Sequence, residues 1–300
     1  MSIVELKIIC KAYGDKIAVN DLSLSIEPGT MFGLLGPNGA GKTSAIRMMI
    51  GMTLPDSGTV SLFGEPFHRG LLRRVGYLPE ERGLYKRMKV LDQLVFLGQI
   101  HGLDAALAAR RAREWCERLQ IADSINAVTR TLSKGMQQKI QFIATLLHEP
   151  DLIIMDEPFS GLDPVNAILL RDVLLDLKNG GRTILLSTHR MEQAEKLCDS
   201  ICLIDSGKVV LSGSVREVKA RYKRDRVIVE YEGDGSFLEH AAVAGFRTFA
   251  GHTEFRLRDG ADSQILLRAA MEKASVYRFD LMEPSLEEIF VETVGGKSSE

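Results

Sequence analysis

The feature that most constrains the fold is a glycine-rich segment, GPNGAGKT, at residues 36–43. It follows a short apolar run, TMFGLL, at 30–35 and precedes a stretch that we predict to be helical from about Lys42 to Ile50. A strand, a tight glycine loop and a helix N-terminus in this order turn consecutive backbone N–H groups toward an anion. The segment fits the phosphate-loop pattern G-x-x-x-x-G-K-[ST] in the structural context which that pattern requires.

This loop predicts which residues bind a nucleotide. The Lys42 ammonium is expected to reach the outer phosphates, and the Thr43 hydroxyl is expected to face a magnesium ion. A glycine turn without a ligand is the alternative, and the flanking strand and helix disfavour it. The predicted nucleotide-binding residues of the loop are Gly36, Pro37, Asn38, Gly39, Ala40, Gly41, Lys42, Thr43 and Ser44.

Two carboxylates end the apolar run LIIMDE at 152–157. On a buried strand beside the phosphate loop, Asp156 would hold magnesium, directly or through water, and Glu157 would act as general base on the attacking water. His189, in STHR after the predicted strand RTILLS, would lie near the same edge and contact the terminal phosphate. Taken singly, an acid pair is usually a solvated turn and a lone histidine is usually structural. Their combination with the loop favours nucleotide hydrolysis.

A further helix start lies mid-chain, in TLSKGMQQKIQF at 131–142, and a helix N-terminus attracts anions. This segment and the preceding motifs, together with SGLDP at 160–164, occur in an order and spacing that resemble the ATP-binding cassette of ABC transporters. The resemblance covers about residues 3–215.

The resemblance implies further site residues. Ser133 and the backbone of Gly135 would face the γ-phosphate of an ATP molecule held by the opposite subunit. Tyr13 would stack on adenine, with Val19 packed beside it. Asp163 would communicate between the two sites of a dimer.

Two departures from the family pattern concern magnesium and the shared phosphate. Glu80 stands where the family usually has a glutamine whose oxygen reaches magnesium, and a carboxylate is also a magnesium ligand. Lys134 replaces a glycine of the signature, and Met136 replaces its glutamine. Both departures, and the segment PSLEEIF near the C-terminus, resemble the NatA-like bacterial exporters, a subgroup named for sodium efflux.

The predicted fold class is α/β: a P-loop NTPase cassette with a parallel-sheet core, an antiparallel N-terminal subdomain and a helical insertion, plus a small C-terminal α+β domain. Alternation of apolar strands and helices supports the first part. The predicted boundaries are 1–218 for the cassette and 219–296 for the accessory domain, whose pattern suggests βαββαβ. A regulatory role, an added dimer contact and an inert cap remain open for that domain.

Composition limits the partners. With 38 basic and 40 acidic groups and a net charge of -2, the chain offers no electrostatic case for nucleic acid. Its four cysteines form no C-x-x-C pair, so we expect reduced, mostly buried thiols. No apolar run reaches the roughly 18 residues of a membrane helix. Any membrane-spanning part would therefore come from another chain.

We therefore expect an ATPase subunit at the cytoplasmic face of the membrane, held there by an integral membrane permease. It would dimerise with a second copy around ATP and Mg²⁺ and contact the permease through about residues 80–97. It would power transport, and export is the favoured direction. Non-transport cassette ATPases of DNA repair or translation are one alternative, although the heptad insertions or tandem cassettes they need are absent. A weakly active regulatory cassette is the other. A kinase or GTPase would explain neither LSKGMQQ nor SGLDP.

Overall fold

The computed structural model describes residues 2–81, 83–222 and 225–295. Its contacts divide the chain into two compact units, Met1–Val215 and Arg216–Glu300. The boundary proposed from the sequence, between residues 218 and 219, stays a prediction. Lys223, Arg224 and Gly296 of the predicted accessory domain lie outside the described residues.

The described residues form strands and helices in mixed order. The strands are β1 (Val4–Tyr13), β2 (Lys16–Ile26), β3 (Met31–Leu35), β4 (Ser57–Leu62), β5 (Glu65–Pro66), β6 (Val75–Leu78), β7 (Leu152–Asp156), β8 (Thr183–Thr188), β9 (Ser200–Asp205), β10 (Lys208–Ser214), β11 (Arg226–Gly233), β12 (Val243–Thr248), β13 (Thr253–Leu257) and β14 (Ala274–Met282). The α-helices are α1 (Lys42–Met49), α2 (Val90–Ile100), α3 (Ala105–Arg118), α4 (Lys134–Leu146), α5 (Pro164–Asn179), α6 (Met191–Leu197), α7 (Val215–Ala220), α8 (Ser263–Lys273) and α9 (Leu286–Gly295).

A largely parallel sheet forms the centre of the first unit, with the strand order β10-β9-β3-β8-β7-β6. Only β10 runs antiparallel to its neighbour, at one edge. Every residue of β3, β7 and β8 is buried, which explains their continuous apolar runs. The register pairs Leu35 with Thr188 and Asp156 with Ser187, so the carboxyl ends of these three strands lie side by side. The predicted parallel-sheet core is confirmed.

An antiparallel sheet of order β2-β1-β4-β5 packs against the parallel sheet through one shared apolar core. Buried side chains such as Ile9 and Leu22 of this sheet join Ile46 of α1 and Leu34 of β3 in that core. The core therefore fixes α1, and the loop before it, between the two sheets. This sheet is the predicted N-terminal subdomain.

The helical insertion comprises α2, α3 and the helix that follows them, α4. Asp104 caps α3 by accepting a hydrogen bond from the Leu107 N–H (2.8 Å), and Ser133 caps α4 in the same way. Within residues 2–81, 83–222 and 225–295, no helix has both the length and the apolar character that crossing a bilayer requires.

The second unit contains a four-stranded sheet of order β12-β13-β11-β14, in which each neighbouring pair is antiparallel. Val227 and Val229 of β11 and Phe255 of β13 form its core with Leu266 of α8. The first helix of the predicted βαββαβ pattern is instead one 3-10 turn, Ser236–Glu239. In this short turn Phe237 is buried in the core and Leu238 packs against it.

Candidate functional site

A cleft of about 450 Å³ opens where the phosphate loop meets the ends of β6 and β7. Ten of the residues that line it were predicted from the sequence, and Lys16 and Ala18 were not. The lining residues are Tyr13, Lys16, Ala18, Asn38, Gly39, Gly41, Lys42, Thr43, Ser44, Glu80, Asp156 and Glu157.

The phosphate loop leads into α1 through a glycine that no other residue replaces easily. Gly41, the N-cap of α1, has φ +109°, and an added Cβ would lie 2.3 Å from the carbonyl oxygen of Ala18. No side chain caps this helix. Its first N–H groups therefore remain for an anion at the cleft.

Lys42 is held at the mouth of the loop by backbone carbonyls. Its Nζ donates hydrogen bonds to the carbonyl oxygens of Gly36 (2.7 Å) and Pro37 (3.1 Å), and the residue is 6% exposed. Burial lowers the pKa of Lys42, whereas the charges of Glu157 and Asp156 act to raise it. The ammonium thus lies between the loop and the acidic side of the cleft, where an incoming polyanion would meet it.

Oxygen ligands of the kind that Mg²⁺ prefers converge on the same cleft. The Thr43 hydroxyl donates to Oδ2 of Asp156 at 2.8 Å, and Asp156 is buried at the end of β7. The Glu80 carboxylate lines the cleft with them. A hydroxyl and two carboxylates match the hard-cation donor set, so the residues present fit a magnesium ion.

Glu157 is held by the residues at the end of β8. Its Oε1 accepts the backbone N–H of His189 at 2.9 Å and lies 2.7 Å from His189 Nδ1, while its Oε2 accepts the Thr188 hydroxyl at 3.1 Å. Glu157 is 8% exposed and has φ +49°, a backbone conformation unusual for a non-glycine residue. The structure therefore brings together the two predicted catalytic residues. Thr188 was missed, although its place before His189 in STH was a usable signal.

One side of the cleft carries an exposed aromatic ring. Tyr13 lines the cleft and is 47% exposed, with Nζ of Lys11 5.8 Å from the ring centroid. The prediction that Val19 packs beside a base is corrected, because Val19 is fully buried in the core. Side chains alternate along β2, so Lys16 and Ala18 face the cleft instead.

Ser133, Gly135 and Asp163, which were predicted from the family resemblance, are not among the residues that line this cleft. Ser133 is exposed at the start of α4, where its Oγ accepts the Met136 N–H at 3.2 Å, and Gly135 follows in the first turn. Asp163 caps α5 by accepting the Asn166 N–H at 2.9 Å, and hydrogen bonds from Asn166 lower the pKa of Asp163. A single chain therefore leaves the start of α4 and the cleft as separate sites.

The stretch predicted to contact a permease presents aromatic side chains. Tyr85 and Phe96 pack edge to face with ring centroids 5.7 Å apart, and they are 49% and 40% exposed. Arg82, within the predicted range 80–97, lies outside the described residues.

Comparison with known proteins gives two family matches. The ABC transporter family matches residues 19–160, and the C-terminal domain of DrrA1-3-like ATP-binding proteins matches residues 213–294. The chain is 43% identical over 288 residues to the uncharacterized ABC transporter ATP-binding protein YhaQ of Bacillus subtilis, which covers 96% of this chain and 97% of that protein. It is 40% identical over 220 residues to the Nod factor export ATP-binding protein I of Cupriavidus metallidurans, which covers 72% of this chain and 73% of that protein.

Solved structures give the same result. The structure of an ATP-binding subunit of an ABC transporter superposes with a TM-score of 0.68 at 30% identity, covering 73% of this chain and 93% of that one. The cbiO1 protein of Clostridium perfringens shares the fold, with a TM-score of 0.65 at 24% identity over 73% of this chain and 91% of that one. These matches confirm the predicted fold class. The chain belongs to the family of ATP-binding proteins of ABC transporters, whose members are the ATPases that power transport by these transporters.

Proposed function

We propose that the cleft binds ATP with Mg²⁺, that two copies of the chain complete each other's sites, and that the dimer drives a membrane permease which exports its substrate. The observation that carries this proposal is the meeting of three elements in one cleft. They are an uncapped helix start with a buried lysine, the Thr43–Asp156 contact, and a carboxylate held by three hydrogen-bond contacts.

Each group has a role in hydrolysis. Lys42 and the first N–H groups of α1 bind the phosphates, and Tyr13 stacks on the base. Thr43, Asp156 and Glu80 would hold Mg²⁺, which when bound neutralises charge on the phosphates. These groups orient the nucleotide in the cleft.

Glu157 accepts a proton from the water that attacks the terminal phosphorus, and the bond from that phosphorus to the bridging oxygen of ADP breaks. His189 is hydrogen-bonded to Glu157 through Nδ1, so its other ring nitrogen, Nε2, is the one that can face the terminal phosphate. The half-exposed imidazole supports this role.

The second copy supplies the groups that the cleft lacks. Ser133 and the Gly135 backbone form an exposed, anion-attracting helix start in a chain whose own cleft lies elsewhere. We propose that they bind the terminal phosphate of the ATP held by the partner, with Asp163 between the two sites. ATP would then hold two copies together, and hydrolysis would release them.

The exposed Tyr85 and Phe96 pair supports a permease contact within about residues 80–97. Such a contact would hold the subunit at the cytoplasmic face of the membrane. The named export role of the Nod factor relatives supports export as the direction.

Glu157→Gln tests the proposal. We expect this variant to bind ATP, to release no phosphate with or without magnesium, and to accumulate as a dimer with ATP on gel filtration. Glu114→Gln is the matched control, because Glu114 is an exposed carboxylate on α3 whose side chain is 64% exposed. Normal turnover by Glu157→Gln would contradict the assignment of the base.

A further inference from the structure

Helix α4 carries two buried glutamine side chains that reach the loops of the chain's own cleft. Gln138 is 4% exposed and Gln141 is 6% exposed. A buried amide is unfavourable unless its polar atoms are hydrogen-bonded, so the partners of these two side chains indicate why they are there.

Gln141 holds the backbone on both sides of Glu80. Its Nε2 donates to the carbonyl oxygen of Pro79 at 3.2 Å and to that of Glu81 at 3.1 Å. Strand β6 ends at Leu78, so both carbonyls lie beyond the sheet. One amide nitrogen thus fixes the segment that brings the Glu80 carboxylate to the cleft.

The bond pattern of Gln141 is costly for stability. Its Oε1 is buried and has no hydrogen-bond partner among the described residues. An unpaired buried acceptor lowers the stability of the fold, whereas a leucine or methionine would fill a similar volume without that cost. A glutamine here is therefore better explained by the loop it holds than by the packing of the core.

Gln138 makes a similar contact beyond the end of the neighbouring strand, β7. Its Nε2 donates to the carbonyl oxygen of Pro158 at 3.3 Å, and Pro158 directly follows Glu157. The same helix thus contacts the flank of the proposed metal-facing carboxylate and the flank of the proposed base.

We infer that Gln141 is a positioning residue for Glu80, and that Gln138 is a positioning residue for Glu157. Because Ser133 caps the N-terminus of α4, one rigid helix connects the partner's phosphate to both acidic groups of its own chain. This inference rests on the proposed function, which supplies the roles of Glu80 and Ser133.

The test of Gln141 measures nucleotide binding rather than turnover. The dissociation constant of a fluorescent ATP analogue is measured in EDTA and across a magnesium titration for the parent chain, Gln141→Leu, Glu80→Ala and the double variant. We expect Gln141→Leu to raise, by about tenfold or more, the magnesium concentration that gives half of the full increase in affinity for the analogue. Losing a residue that orients a metal ligand has an effect of this size in metal sites. Affinity in EDTA should be unchanged.

The double variant distinguishes positioning from a general structural effect. If Gln141 acts through Glu80, Gln141→Leu adds no further loss once Glu80 is alanine. Equal, additive losses in both backgrounds would overturn the inference, and so would an unchanged magnesium requirement in Gln141→Leu. Gln141→Met provides a second variant should Gln141→Leu fail to fold, as judged by its melting curve.

One control variant, at Thr145, and one variant that tests Gln138 complete the experiment. Thr145→Val removes a buried hydroxyl of α4 that donates to the Gln141 carbonyl within the helix at 3.0 Å and to the Tyr77 carbonyl of β6 at 3.3 Å. Neither bond involves the side chain of Gln141 or the Glu80 segment, so this variant should keep the parent's magnesium requirement. Gln138→Leu should also keep the parent's magnesium requirement, but it should lower kcat at unchanged KM. A raised magnesium requirement in this variant would contradict the assignment of Gln138 to Glu157. If the ATP affinity of the parent chain does not depend on the magnesium concentration, the proposed metal site is wrong, and the inference about Gln141 is wrong as well.

Discussion

Replacing Gly41 by alanine tests the geometry of the phosphate loop directly, and Gly39 provides a matched control. Both glycines have positive φ, +109° and +83°. An added Cβ at Gly41 would meet the Ala18 carbonyl oxygen at 2.3 Å, whereas one at Gly39 would meet nothing within 4 Å. The two substitutions therefore share a backbone cost and differ in a steric clash.

The shared cost of a left-handed backbone is about 1–2 kcal/mol for a residue with a Cβ. The clash adds about 1–3 kcal/mol, the usual cost of overpacking, because a carbonyl held by the fold cannot swing aside as the end of a flexible side chain can. We expect Gly41→Ala to lower the free energy of unfolding by about 1–3 kcal/mol more than Gly39→Ala does.

Urea unfolding without nucleotide, followed by tryptophan fluorescence, provides the assay. The only tryptophan of the chain, Trp115, lies in α3 and packs edge to face with Phe142, with ring centroids 6.5 Å apart. Its signal therefore reports on the first unit alone. Equal midpoints for the two variants, or a lower one for Gly39→Ala, would refute the steric reasoning.

Four further predictions address the site and the core. Thr188→Val, at a buried position, should lower kcat at unchanged KM by removing one hydrogen bond to Glu157, and Thr188→Ser should restore it; steady-state kinetics decide. Lys42→Ala should weaken ATP binding, and an unchanged affinity in a fluorescence titration would contradict the assignment of Lys42 to phosphate binding. Tyr13→Ala should weaken ATP binding severalfold and Tyr13→Phe should not, since stacking needs the ring alone; equal losses in a titration would argue against stacking. Burial lowers the pKa of His148 from 6.5 to about 4. The contribution of the neutral His148 to the free energy of unfolding should therefore be full above pH 6.5 and be lost as the pH drops toward 4. The urea midpoint of His148→Phe should decline less steeply over this pH range, and a decline as steep as the parent's would contradict this.

The parts of the site that sequence predicted best are those fixed by strand ends. The run TMFGLL and the run LIIMD become fully buried parallel strands, β3 and β7. Because the carboxyl ends of such strands meet at one edge of the sheet, residues far apart in the chain can be assigned to one cleft from the sequence alone. The Thr43–Asp156 contact, across 113 residues, is the clearest case.

The parts that sequence did not predict depend on which way a side chain points. Val19 and Ala18 are neighbours on β2, and only a register set by tertiary packing decides which of them faces the cleft. The bonds of Gln138 and Gln141 to loops 20 and about 60 residues away leave no local pattern, because a glutamine in a helix is compatible with an exposed face. Such contacts are set by how α4 packs on the sheet.

If each copy completes the other's site, two differently inactivated variants should restore activity when they are mixed, and this mixing experiment tests the shared site most directly. Lys42→Ala damages the phosphate loop and leaves the start of α4 intact, whereas Gly135→Asp damages the start of α4 and leaves the loop intact. In a mixed dimer one site then combines both intact halves, so an equal mixture should regain about a quarter of the parent ATPase activity, since half of the dimers are mixed and each has one intact site of two. A mixture that stays as inactive as its two components, with mixed dimers verified, would contradict the shared site.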